Sequence, residues 1–172
     1  MSTEITPLVI HATGIVALGL SVTGSIRRCD HGLRRQNILA SVLWACNYAL
    51  QGASTGAALA LISAARNGTS SLVQGHSGLI RTFACTFFAA IALEMAALTW
   101  HGWTTLLPVA SSLLMTYALF FLSGHRLRWA LLVGALLWME TVWSLDAPEP
   151  IIANILGIGA AVMGIWRTRL LP

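Results

Sequence analysis

The chain has 172 residues, of which 56% are apolar, and it carries only 10 basic and 6 acidic side chains, 9% of the total, where an ordinary soluble domain has roughly 25%. All ten basic residues are arginine, and so little charge without lysine cannot cover a water-facing surface, which excludes a soluble globular protein. The net charge of +4 is scattered between apolar runs with no basic and aromatic surface segment, which excludes a nucleic-acid binder; at roughly 20 residues per span the length allows six to eight transmembrane helices and leaves no room for a soluble catalytic domain.

In chain order, Leu8 to Ile26 is free of charge and predicts the first span, ended by the arginine-rich segment from Arg27 to Arg35, which reads as a loop. The chain opens acidic at Glu4 with no arginine before Arg27, so this first helix is expected to stay rather than act as a cleaved signal. Ile38 to Ala65 is uncharged and too long for one ordinary span, with Gly52-Ala53-Ser54-Thr55-Gly56 at its centre offering a turn. After Arg66-Asn67-Gly68 and a polar loop, Leu79 to Trp100 forms a span carrying Glu94, and His101-Gly102-Trp103 turns the chain. Thr104 to Leu122 and then Leu127 to Leu145, which carries Glu140, are further spans. Asp146-Ala147-Pro148-Glu149-Pro150 reads as a turn, and Ile151 to Trp166 as the last helix.

Placing a turn at 52–56 gives seven spans and puts all ten arginines on one side of the bilayer, whereas six spans would mix the sides. Cytoplasmic loops collect positive charge, so the expected topology has the N-terminus outside and the C-terminus in the cytoplasm. Trp100, Trp103 and Trp143 near the outer ends, with Trp129 and Trp166 near the inner ends, fit an aromatic belt. Trp44 and Trp138 fall outside it. The cysteines Cys29, Cys46 and Cys85 form no metal-ligand or disulfide spacing.

The two remaining tryptophans belong to an internal repeat. His31-Gly32-Leu33-Arg34 to Leu43-Trp44 matches His125-Arg126-Leu127-Arg128 to Leu137-Trp138 at a constant offset of 94, with His, Leu, Arg, Leu and Trp identical. Both copies run from the arginines outward, so the repeat is parallel. The expected fold is an all-α polytopic membrane protein of seven helices in a 3+1+3 arrangement: residues 8–66 as one three-helix repeat, 79–100 as the linker helix and 104–167 as the second repeat.

Leu106-Leu107-Pro108-Val109 followed by Tyr117-Ala118-Leu119-Phe120, Thr55-Gly56-Ala57 leading to Arg66-Asn67, and the closing segment from Asn154 to Trp166-Arg167 resemble the bacterial YgjV-like inner membrane protein family. The resemblance covers nearly the whole chain. It implies a multi-pass protein of the bacterial inner membrane with an architecture similar to PQ-loop and SWEET-type transporters, and it implies no substrate.

Trp44, Asn47, Tyr48 and Gln51 recur at helical spacing and share one face of the second helix. Amides inside a bilayer must face protein or a cavity, so this stripe is either a stacking and hydrogen-bonding site for a sugar, nucleoside or amphiphilic metabolite, or an interhelical hydrogen-bond patch with no ligand. The repeat adds Trp138, and resemblance to the SWEET type adds Asn154 by position. Glu140, about 18 Å up its helix from Arg128, and Glu94, about 20 Å from Arg81, are intramembrane acids suited to proton coupling or gating, or else lie close enough to the outer interface to reach water. Pro108 is a candidate hinge, or a proline tolerated near a helix start. His11, Gly14, Ser21 and Ser25, and Asn154, Gly157, Ala161 and Gly164, read as packing stripes. No nucleophile elbow, metal cluster or nucleotide motif is present. The reading is therefore a non-enzymatic, cofactor-free carrier or facilitator for a small polar solute, with a non-transporting membrane scaffold as the alternative. The bilayer is its partner, nucleic acid is not, and a homo-oligomer is left open.

Overall fold

The computed structural model describes residues 5–27, 29–51, 54–98, 100, 102–103, 106–143 and 148–169. Among them lie seven α-helices and no strand: α1 (Ile5–Ile26), α2 (Asp30–Leu50), α3 (Ser54–Leu72), α4 (Gly78–Leu98), α5 (Leu106–Phe121), α6 (Gly124–Trp143) and α7 (Pro148–Arg169), with a 3-10 turn at Val73–Gly75 before α4. The helix count is that expected, and the long uncharged stretch breaks between Leu50 and Ser54, with the last three residues of the turn expected at 52–56 opening α3 instead. Leu8–Ile26 and Gly78–Leu98 are long and apolar enough to cross a bilayer by themselves. The other helices are shorter in their apolar part or carry arginine inside their ends.

Several boundaries differ from the sequence reading. The segment from Asp30 to Arg35 is the start of α2 rather than a loop, so the connection from α1 is confined to Arg27–Cys29. Arg66-Asn67-Gly68 lies within α3, which continues to Leu72. Pro148 and Pro150 belong to the first turn of α7 rather than to a turn before it. Each difference has the same cause. Charge marks where hydrocarbon ends, whereas a helix continues into polar surroundings, and a first-turn proline lacks an N–H that would have had no intrahelical partner.

The chain divides into two units, residues 1–71 and 72–172. In the first, α1 packs along α2. Gly24 leaves room for Gln36, whose Cβ would stand 3.1 Å from a Cβ added at the glycine. Gln36 Oε1 accepts from Arg27 Nε at 2.7 Å and its Nε2 donates to Thr23 Oγ1 at 3.3 Å. In the second unit α4, α5, α6 and α7 pack in succession. Phe88 stacks on Phe120 between α4 and α5 at a centroid distance of 6.1 Å. Ala118, Leu119, Leu127 and Ala130 form the apolar core of the α5–α6 contact, and Ser111 Oγ donates to the Gly134 carbonyl at 2.7 Å.

The surface is apolar to a degree unlike that of a water-soluble protein, and several polar side chains are buried beside the apolar core. Arg34, Asn47, Arg66, Asn67, Ser70, Ser111, Thr116 and Arg128 are buried, while Leu8, Leu79, Phe83 and Leu98 are each more than two-thirds exposed. Hydrocarbon accepts apolar side chains outward and drives polar ones against protein.

A Cβ added at Gly134 would stand 2.8 Å from Met115 Cγ, so close that the methionine side chain or the helix behind it has to shift. Gly134→Ala should therefore destabilise the protein by about 1–3 kcal/mol, read as a lower midpoint of thermal aggregation in detergent. Adding Met115→Ala should restore most of the loss, and an unaffected single variant would show that the contact is slack.

Candidate functional site

Of the residues singled out on α2, Trp44 and Asn47 meet α1, and their chemistry is decided by what α1 offers. Thr13 Oγ1 donates to its own helix at Val9 O and Ile10 O, both 2.9 Å; Ser21 Oγ donates to Ala17 O at 2.9 Å; Thr23 Oγ1 donates to Gly19 O at 2.7 Å. A hydroxyl has one proton, so each of these retains only lone pairs for its neighbours. α2 supplies the donors: Asn47 Nδ2 to Thr13 Oγ1 at 3.0 Å and to Ile10 O at 2.6 Å, Trp44 Nε1 to Ser21 Oγ at 3.4 Å, and Gln36 Nε2 to Thr23.

Asn47 is 3% exposed, and Gly14 is what admits it, with a Cβ there falling 3.4 Å from Asn47 Nδ2. Its Oδ1 accepts from Gln51 Nε2 at 2.6 Å, so donor and acceptor are both engaged within the helix pair. Trp44 and Tyr48 are partly buried and stacked on one another, 5.7 Å between centroids and 26° between planes. The expected stripe is thus one face, split into an amide committed to α1 and an aromatic pair beside it. His11 of the expected packing stripe is exposed and Ser25 bonds its own helix at Ser21 O, whereas Gly14 and Ser21 meet α2 as expected.

In the second unit Asn154 Nδ2 donates to Ala135 O at 3.1 Å and to Met139 Sδ at 3.5 Å, which ties α7 to α6. Trp138 is partly buried on α6. Glu94 is exposed, one turn before the C-terminal end of α4. Pro108 is the third residue of α5, where its missing N–H removes no intrahelical bond. Glu140 lies on α6, but its side chain is outside the described residues, as are Asp146 and His101. Among the described residues no group of three or more His, Cys, Asp or Glu could hold a metal ion.

Sequence reasoning missed Thr13, Ser111 and the burial of Arg34 and Arg128. The first two need the helix register. The arginines were in view as an identical pair in the repeat, and identity at that offset was the available signal.

The pattern of the Imp-YgjV family, described as bacterial inner membrane protein, matches residues 8–171, nearly the whole chain. The chain belongs to this family. Membership accounts for the exposed apolar surface and for the buried amides and hydroxyls of its helix pairs. No curated protein and no solved structure matches the chain, so the likeness to PQ-loop and SWEET-type transporters rests on the sequence pattern alone.

Asn47→Leu removes both interhelical hydrogen bonds of Nδ2 while keeping the branched shape and the number of side-chain heavy atoms. It should weaken the α1–α2 pair by about 1 kcal/mol, the scale of hydrogen bonds between membrane helices, measured by reversible unfolding in mixed micelles. Stability equal to that of the parent would show that the bonds are replaced by others of equal worth.

Proposed function

We propose that this inner membrane protein carries a small polar solute across the bilayer by alternating access of two parallel three-helix repeats, α1–α3 and α5–α7, with α4 as the linker. In this reading the N-terminus is outside and the C-terminus cytoplasmic, which the one-sided arginines of the sequence support. The observation that carries the reading is that the helices recur as the sequence does. α2 begins at Asp30 and α6 at Gly124; α3 begins at Ser54 and α7 at Pro148, each pair 94 positions apart. Burial recurs at the same offset: Ala17 with Ser111, Gly24 with Ala118, Leu33 with Leu127, Arg34 with Arg128, Ala40 with Gly134, Arg66 with Ala160, and Ser70 with Gly164 are all buried. Duplicated membrane units are a common construction of carriers, in which one repeat moves against the other.

In this reading Trp44 and Trp138 stack on the solute, with Tyr48 beside Trp44, while Asn47 and Asn154 bond it. Glu140, with Glu94, couples a proton or shapes the outer gate, and Pro108 gives α5 its play. The Asn47 amide N–H reaches a solute only by releasing α1, and the Asn154 amide N–H only by releasing α6. Solute capture and loosening of the helix pairs are then one event. No nucleotide motif powers the cycle, so it is a facilitator or proton-linked carrier rather than an enzyme or a pump.

One observation favours a second reading, a non-transporting membrane scaffold: both asparagines already spend their amide N–H donors inside helix pairs. Thermal stability of the purified protein against sugars, nucleosides, amino acids, vitamins and organic acids at two pH values separates the two. A carrier is expected to be stabilised by one class, by about 2.7 kcal/mol at a hundredfold excess over Kd, and Trp44→Ala/Asn154→Ala should lose the response and the corresponding proteoliposome uptake. No response anywhere in the panel, with co-purification of a larger complex, would replace the carrier by the scaffold.

A further inference from the structure

The second unit sorts its arginines in opposite directions within a single turn. Arg128 is 2% exposed, whereas Arg126 beside it, and Arg167 on α7, are exposed and have no hydrogen bond or ion pair among the described residues. The Asn154 bond to Ala135 fixes the register of α6 against α7. The short connection between the two helices makes them antiparallel. Counting about 1.5 Å per residue from that bond, Arg126 lies roughly 14 Å along α6 and Arg167 roughly 20 Å along α7 in the same direction, so both stand at one end of the pair. Trp129 and Trp166 stand there too, 42% and 63% exposed. The acids of these helices, Glu140 and Glu149, are at the opposite end of the sequence of each.

We propose that this end of the α6–α7 pair binds the phosphate headgroup of an anionic lipid, with Arg126 and Arg167 as its cationic contacts and Trp129 and Trp166 as flanking rings. Two guanidinium groups with no ion pair among the described residues supply charge complementarity and forked donors for phosphate oxygens. His125 adds a third donor. Its Nε2 accepts from Trp129 Nε1 at 2.7 Å, which leaves the ring proton on Nδ1. The indoles select a lipid over free phosphate, since exposed tryptophan at a membrane boundary gains from the glycerol and acyl region beneath the headgroup, and inorganic phosphate offers it nothing. Basic side chains near a bilayer surface attract anionic lipid by about five-fold each.

The test is native mass spectrometry of the full chain with equal amounts of phosphatidylglycerol and phosphatidylethanolamine. The parent should retain phosphatidylglycerol preferentially, and Arg126→Gln/Arg167→Gln should lose roughly 25-fold of that preference. Brominated phosphatidylglycerol should quench the parent's tryptophan fluorescence more than brominated phosphatidylethanolamine, and Trp129→Phe/Trp166→Phe should remove most of the excess. This second readout decides the matter should the arginine variant fail to fold. Equal retention of the two lipids by the parent, undiminished retention by a folded arginine variant, or displacement of the lipid by millimolar inorganic phosphate would each overturn the proposal.

Discussion

A hydroxyl that has given its proton to its own helix can only accept, and the α1–α2 pair is built on that limit. Thr13, Ser21 and Thr23 bond carbonyls one turn back along α1 and face α2 as acceptors. Their partners have to be donors, and Asn47, Trp44 and Gln36 are. Because no water competes in hydrocarbon, a register shift would leave several of these groups unsatisfied together. The pair is thus specified by complementarity of proton count as much as by shape. The glycines make it feasible: Gly14 admits the Asn47 amide and Gly24 admits Gln36.

The second unit reaches the same end by other means. At its α5–α6 contact a hydroxyl donates across the pair, Ser111 to the Gly134 carbonyl, set among Ala118, Leu119, Leu127 and Ala130. Ser111 stands where α1 has Ala17, and Gly134 where α2 has Ala40. An interhelical bond in one copy thus stands where the other has a pair of alanines, while both positions are buried in both copies. Two copies of one plan can diverge in this way, because burial depends on helix geometry and each hydrogen bond on a single residue.

Much of the fold is legible in the residues. Leu8 to Ile26 and Leu79 onward are uninterrupted apolar runs, and 52–56 offers the only turn in a stretch too long for one span, so the helix count follows. What was not legible is where helices end, since Arg34, Arg66 and Pro148 interrupt apolarity without interrupting backbone hydrogen bonding. The candidate stripe was legible as a face, from the spacing of Trp44, Asn47, Tyr48 and Gln51. Its occupant was not, because that depends on which residues of α1 lie opposite, and on the fact that their protons are already spent on α1 carbonyls.

Arg34 and Arg128 are nearly inaccessible in the finished helix pairs, and they are the identical arginines of the two repeat copies. A charge that the folded chain hides cannot be read from its outer surface. A guanidinium-selective reagent that reaches the exposed Arg126 and Arg167 should pass these two by until the helices separate. Their labelling would therefore report the opening of each pair, one probe in each copy of the repeat.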